Sequence, residues 1–209
     1  MRKTMAFLKR RDGMERRDFF DWWLNEHRPF AEQIPGLRHH TISLVADDGD
    51  AEFDGVGEYW FDDTAATDSG VASPAGQAAK ANSDAATSRQ VVVEFVEHKF
   101  IDTGEPAPFK MISILKRADE MKRPEFKEWW LDSHAPMVLQ FPDLRHYQVD
   151  LAEDGPDGAI DGLAELSFED METLRRVIFS DQVRSVQQQD SVSHTSSIIR
   201  MYVEKHAIF

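Results

Sequence analysis

An α+β fold of two tandem ferredoxin-like βαββαβ units, packed sheet against sheet, is what this sequence predicts, and three observations carry the prediction. The chain repeats itself: "WWLNEHRPFAEQIPGLRHH" at 22–40 returns as "WWLDSHAPMVLQFPDLRHY" at 129–147. At that offset of 107 positions the pairs run without a gap from Lys9/Lys116 and Arg10/Arg117 to Glu58/Glu165 and Phe61/Phe168. A fixed self-similarity over about 100 residues, the size of a small domain, marks a tandem fusion. Within each copy, apolar runs suited to strands alternate with helix-period stretches in the order βαββαβ. Finally, a four-stranded antiparallel sheet with both helices on one face leaves its other face bare, and a second unit in the same chain covers it. We expect units at 1–100 and 111–209. The joint between them, 101–110, contains Gly104, Pro106 and Pro108, which break regular structure.

The elements follow in order. "TMAFLK" and "KMISILK" are short apolar runs that suit buried strands. "RRDFFDWWLNEH" and "RPEFKEWWLDSH" read as helices. Pro124 and Glu125 suit a helix start, and Pro29 and Pro136 are expected to end the helices. Phe19, Trp23 and His27 stand four apart, as do Phe126, Trp130 and His134, so one helical face is aromatic and finishes on a histidine. Next come alternating strands, with His40, Ile42 and Leu44 on one side, matched by Tyr147, Val149 and Leu151. An Asp/Gly-rich hairpin loop leads to the third strands, "VGEYWF" and "LAELSF". "METLRRVIFSDQVRSVQQQ" predicts a second helix. Its counterpart at 64–90 is Ala/Ser-rich and poor in large apolar residues, and is expected to be short, shifted or mobile. "VVVEFVEHKF" and "IIRMYVEKHAIF" are the closing strands.

Composition bounds the function. The net charge of −14 repels phosphate backbones and anionic lipid, arguing against nucleic-acid and membrane partners. With no cysteine there are no disulfides, thiol nucleophiles or Cys-ligated metals, which fits a cytoplasmic protein. No run reaches the ~18 apolar residues of a membrane span, and "MRKTMAFLKRRDG" lacks the apolar core of a signal peptide.

The ordered pattern of Lys-Arg, Phe, Trp, His-x-Pro, Pro-x-Leu-Arg-x-Tyr and Gly-x-Glu, present twice, resembles the EthD family. It also resembles the related methylmuconolactone isomerases of the dimeric α/β-barrel superfamily. The resemblance implies an intramolecular dimeric α/β barrel with a helix- and sheet-lined cavity in each unit and acid–base chemistry without a cofactor. It maps a helix-end histidine onto His27 and His134. It maps a second-strand tyrosine onto Tyr147, with His40 in its place in the first copy. Tyr59 stands where those isomerases have a cysteine, a departure from their pattern. Other branches of the superfamily bind haem through a histidine, but nothing here matches their motifs.

The residues themselves support two readings each. His27 and His134, near a reference pKa of ~6.5, can take a proton from carbon beside a carbonyl, or can cap carbonyls at a helix end. Tyr147 and His40 can donate to an enolate oxygen, or sit in the core with a hydrogen-bonded tip. Glu58 and Glu165 lie within apolar strands, where a bare carboxylate is costly. They can orient a histidine, act as bases, or pair with Arg38 and Arg145, and the ion pair is the favoured reading. Phe19, Trp23 and Trp130 are expected to wall the pocket, with Arg38 and Arg145 as substrate contacts. His39 and His146 alternate to the opposite side. His27, His39, His40 and Glu58 lack the tight spacing of a metal site, so none is expected.

The sequence therefore points to a cofactor-free isomerase, cyclase or lyase acting on a small oxygenated carbonyl compound such as a lactone, an aromatic-degradation product or a polyketide. Two alternatives are a cofactor-independent monooxygenase and a non-catalytic small-molecule-binding or accessory protein. The fused pair is its own dimer partner, and further homo-oligomerisation is left open.

Overall fold

The structure, a computed structural model, describes residues 1–46, 51–152 and 160–208. The chain adopts the predicted fold class, α+β with two tandem ferredoxin-like units of the dimeric α/β-barrel kind. It divides into one compact unit of Met1–Glu94 with Lys205–Phe209 and a second of Phe95–Glu204. The expected Asp/Gly-rich hairpin loops fall mostly on 47–50 and 153–159, outside the described residues.

In the first unit β1 (Arg2–Arg10) is followed by α1 (Arg16–Asp21), a π-helical segment Trp22–His27 and α2 (Arg28–Ala31). Then come β2 (His39–Val45), β3 (Gly55–Phe61), α3 (Thr64–Ala72), α4 (Pro74–Ala86) and β4 (Thr87–Asp102), whose residues from Phe95 on belong to the second unit. The second unit repeats the plan. β5 (Phe109–Arg117), α5 (Arg123–Glu128), a π segment Trp129–His134 and α6 (Ala135–Val138) lead to β6 (His146–Leu151) and β7 (Gly162–Phe168). It closes with α7 (Met171–Ile178), α8 (Asp181–Val186), a third π segment Gln187–Ser191, α9 (Val192–His194) and β8 (Thr195–Ala207). Strand order is β4-β1-β3-β2 in the first unit and β8-β5-β7-β6 in the second. The central strand pairs are antiparallel, with Met5 opposite Glu58 and Ile112 opposite Glu165.

Antiparallel register fixes which side chains share a face, because directly opposed residues point the same way. In the second unit Met111, Ser113 and Leu115 of β5 join Tyr147 and Val149 of β6 and Ala164 and Leu166 of β7 on the helix-facing side. There they pack on Phe126, Trp130, Val138, Leu174, Val177 and Val183. In the first unit Leu8, Ile42 and Leu44 pack on Phe19, Trp22 and Trp23. Burying each such side chain contributes roughly 1.5–3 kcal/mol.

The prolines do not end the first helices. Arg28 N–H bonds to Trp23 O and Ala135 N–H to Trp130 O, five residues back, so the chain widens into a π turn and then continues helically. In an α-helix the rings of Pro29 and Pro136 would collide with the carbonyls four residues earlier, and the wider turn relieves this. The histidine consequently moves under a different tryptophan. His27 packs on Trp22, with ring centroids 4.9 Å apart, and His134 on Trp129 at 5.1 Å. The i,i+4 spacing of a straight helix would pair the histidines with Trp23 and Trp130 instead.

The Ala/Ser-rich segment 64–90 is neither short nor irregular: α3 and α4 span nine and thirteen residues. Asp63 and Ser73 cap their starts by accepting from Ala66 N–H and Gly76 N–H, and Pro74 occupies the first turn of α4. Alanine has the best helix propensity, so the run needs few large apolar anchors. Small residues also allow close approach: a Cβ on Gly70 would meet Pro35 O at 2.8 Å, and one on Gly76 would meet Gly70 O at 2.3 Å.

Candidate functional site

The second unit holds a histidine–carboxylate pair beside a cavity. His134, at the end of the π turn, shares a proton through Nδ1 with Asp190 Oδ2 at 2.6 Å. Asp190 lies on the third π segment and also accepts from Trp129 Nε1, at 3.0 and 3.1 Å to its two oxygens. His194 stacks on the other part of this cluster, 4.5 Å from the Trp129 ring, with Nδ1 2.7 Å from Asp190 O. A carboxylate on Nδ1 fixes the neutral imidazole as the Nδ1–H tautomer and leaves Nε2 as a bare base. Burial holds the His134 pKa below 6.5, and the Asp190 hydrogen bond and charge oppose that shift. At neutral pH the ring is therefore unprotonated and able to accept a proton.

The cavity is about 50 Å³ and lies between the helices and the helix-facing side of the sheet. His134, Ser113, Ser191 and Arg200 supply its polar lining, and Met111, Trp130, Val138 and Leu166 are among its apolar walls. Arg200 is half-buried on β8 directly opposite Ser113 on β5. Its Nε is buried with no hydrogen-bond partner among the described residues. Tyr147 is fully buried on this same sheet face and stacks on Phe100 at 5.2 Å. Its hydroxyl and the Trp130 indole nitrogen are buried near one another without forming a hydrogen bond of good geometry among the described residues. Burial pushes the phenol well above its ordinary value, and nearby Trp130 opposes this.

The first unit builds the same frame differently. His27 Nδ1 meets Asn82 Oδ1 at 2.8 Å, a neutral amide where the second unit has a carboxylate. His40 is fully buried, and its ring stacks on Tyr59 at 4.6 Å. Burial, then His27 and Arg28, push His40 down to about 4, against the opposing charge of Glu58. Tyr59 folds over Gly57, where an added Cβ would lie 2.7 Å from its hydroxyl oxygen. The corresponding second-unit residues are Ala164 and Leu166, which line the cavity. A tyrosine ring thus occupies the first-unit space that the smaller pair leaves open.

The EthD domain model matches residues 11–87 and again 118–195. The chain belongs to the EthD family. Both histidine-bearing π turns, His40, Tyr147 and the Asn82 and Asp190 partners lie within the matched stretches of the EthD pair, whereas Arg200 lies beyond them. Among curated proteins none matches the chain. Solved structures share its fold at low identity. An anthrone oxidase-like protein is similar over 99% of this chain and 92% of its own, at 7% identity and a TM-score of 0.73. A candidate monooxygenase from Fusobacterium nucleatum is similar over 98% and 91%, at 10% identity and a TM-score of 0.63. A chlorite dismutase from Candidatus Nitrospira defluvii is similar over 98% and 90%, at 13% identity and a TM-score of 0.58.

Of the residues singled out in this EthD sequence, the structure brings His134 and Trp130 together at the cavity. Phe19 and Trp23 are fully buried in the first-unit core. Glu58 and Glu165 stand on the sheet faces opposite His40 and Tyr147, since Thr41 opposes Glu58 and Gln148 opposes Glu165. They do pair with cations, but with Lys3 at 3.0 Å and Lys110 at 2.5 Å, not with the arginines expected from sequence. Both lysines sit on the neighbouring strand, within reach across the sheet, whereas the arginines lie before the second strands. Arg38 pairs with Asp62 at 2.5 Å and Arg145 with Glu169 at 2.5 Å, outside the cavity lining. His39 is exposed and His146 half-buried, 3.0 Å from Gln148 Oε1. Among the described residues, no group of three or more His, Asp or Glu side chains is spaced to hold a metal ion. Among the described residues, no helix is long and apolar enough to cross a membrane.

Sequence reasoning misses Asp190, His194 and Arg200. Asp190 sits 56 positions after its histidine while Asn82 sits 55 after His27, so a gapless offset pairs Asn82 with Gln189 and hides the carboxylate.

Proposed function

We propose that the second unit is a cofactor-free acid–base enzyme acting on a small oxygenated carbonyl compound, with His134 as general base. The observation that carries this reading is the His134–Asp190 pair at 2.6 Å, with His134 also lining the cavity. His134 Nε2 removes a proton from carbon next to the carbonyl, Asp190 stabilises the imidazolium that forms, and the same ring returns the proton at another atom. Isomerisation, cyclisation and elimination of water are the outcomes of that one step, and the resemblance to methylmuconolactone isomerases supports the first. Tyr147, kept protonated by burial, is the candidate acid toward the developing oxyanion. The first unit, with its Asn82 partner and Tyr59-filled space, is the scaffold half. A cavity of about 50 Å³ holds only a few waters, so a substrate binds by widening it at the expense of lining residues such as Val183 and Val186.

The names of the monooxygenase and anthrone oxidase-like neighbours support a second reading, in which the carbanion made by this proton removal meets dioxygen. One experiment covers both. The protein is incubated in heavy water with butenolide lactones, β-keto acids and hydroxylated aromatics, following carbon-bound protons by NMR and oxygen by electrode. His134→Gln should lower exchange by ~10²-fold or more and Asp190→Asn by a comparable factor, while His27→Gln leaves it unchanged. Exchange that survives His134→Gln refutes the assignment, and oxygen uptake coupled to exchange selects the second reading.

A further inference from the structure

We propose that Arg200 is an anion-binding residue of the second-unit cavity, so that the ligand carries a carboxylate or an equivalent oxyanion. This rests on the cavity assigned above as the reaction site, but not on the proton-transfer step. A guanidinium is charged at every working pH, and a charge taken out of water without a counter-ion is costly. Arg200 lines an otherwise largely apolar cavity, its Nε is buried without a partner, and no ion pair to an Asp or Glu is seen for it among the described residues. Burial lowers its pKa, with only Tyr202 opposing, as expected of a cation that lacks a compensating anion.

Register places the group with purpose. Arg200 opposes Ser113 on β5, so the guanidinium and the hydroxyl share one sheet face, both beside the cavity that His134 also lines. The closing strand does not need a cation there. At the offset of 107 or 108 that relates the two units, Arg200 corresponds to Val93 or Val92, so a valine stands at its place. The cation thus occurs in the unit with the carboxylate-held histidine and not at the same place in the other. An anionic group seated on Arg200 and Ser113 would hold the rest of the ligand among Met111, Leu166 and Val138, facing His134. The ligand class is then a small, mainly apolar organic acid, or a compound whose enolate or phenolate supplies the charge.

Titrating the full chain with matched acids and amides, propionate against propionamide and benzoate against benzamide, tests this by NMR line broadening or calorimetry. Wild type should bind each acid at least 10-fold more tightly than its amide. Arg200→Gln should erase that preference while leaving amide binding within about 2-fold, and Arg200→Lys should keep part of it. His134→Gln should retain the preference even where exchange is abolished, which separates a failure of this proposal from a failure of the proton-transfer reading. Equal affinity of wild type for acid and amide, no acid binding at all, or a preference that survives Arg200→Gln would each overturn the proposal. The wild-type comparison decides alone if the glutamine variant does not fold.

Discussion

His40 should make this protein sensitive to mild acid. The ring is fully buried on β2, stacked on Tyr59 with an interplanar angle of 16°. Burial first, then the neighbouring His27 and Arg28, push its pKa from 6.5 down to about 4, with Glu58 opposing. In the unfolded chain the same imidazole takes up a proton near 6.5, so between pH 6.5 and 4 the unfolded state binds more protons than the folded one. Stability is therefore fully present above about pH 6.5 and falls as the pH drops toward 4. A gap of roughly 2.5 units at 1.36 kcal/mol per unit makes the His40 contribution about 3 kcal/mol, a large share of the 5–15 kcal/mol typical of a domain. Urea unfolding at pH 7.5, 6.5, 5.5 and 4.5 measures it, with His40→Phe beside wild type. The phenyl ring keeps the stack on Tyr59 but cannot titrate. Carboxylates and His27 titrate in both proteins, so the difference between the profiles isolates His40. Wild type should lose about 2.5 kcal/mol more than the variant between these extremes, since pH 4.5 is still above the folded pKa. Parallel profiles, or a His40 resonance titrating near 6.5, would refute the reasoning.

Two further perturbations probe packing and the buried charges. Gly57→Ala drives a methyl to within 2.7 Å of the Tyr59 hydroxyl oxygen and should destabilise by about 1–3 kcal/mol in urea melts. Adding Tyr59→Leu, which copies the Ala164/Leu166 pair of the other unit, should recover much of that, giving clear non-additivity. Lys110→Met removes the cation paired with Glu165, which is 3% exposed, and should cost about 3–5 kcal/mol. The double variant with Glu165→Leu should cost less than the single, and a double as damaging as the sum of the two singles would show that Lys110 and Glu165 are not coupled and refute this reading.

The duplicated frame is legible because it is written in large apolar residues with simple periods. The repeat places Trp22/Trp129 and His27/His134 in step, and strand alternation puts His40 and Tyr147 on the helix-facing side. The features that escape such periods depend on backbone geometry that the periods do not encode. A proline after the histidine suggests a helix stop. The chain instead widens by one residue per turn, which shifts the histidine from one tryptophan to the next. The same period-2 rule that places His40 also assigns Glu58 to the other face, since Thr41 opposes it, but that needs the β2–β3 register, which periodicity alone does not set. The partners Lys3 and Lys110 require the register of the first strands as well. Helices α3 and α4 are hard to see in the sequence because large apolar residues are the usual mark of a buried helix, whereas Gly70 and Gly76 pack by close approach and Ala79 is buried.

The difference between the two units traces to one added residue. An insertion in a regular α-helix rotates everything after it by about 100° and would turn the following strand out of phase. Here the two helices nevertheless deliver their strands alike: Arg11 N–H bonds to Ala86 O in one unit, and Ala118 N–H to His194 O in the other. The π segment Gln187–Ser191 absorbs the extra residue, because a wider turn takes one more residue without changing the phase of the turns after it. Its effect is local. The residue facing the histidine is drawn 56 positions from it instead of 55, and that residue is Asp190 rather than an amide. Trp129 then supplies the second hydrogen bond that holds the carboxylate in place. Two π turns of the second unit, one ending on His134 and one carrying Asp190, thus set the geometry of the pair. A straight α-helix in either turn of the second unit would separate His134 from Asp190, so the wide turns, and not the residue types alone, bring a carboxylate to the second-unit histidine.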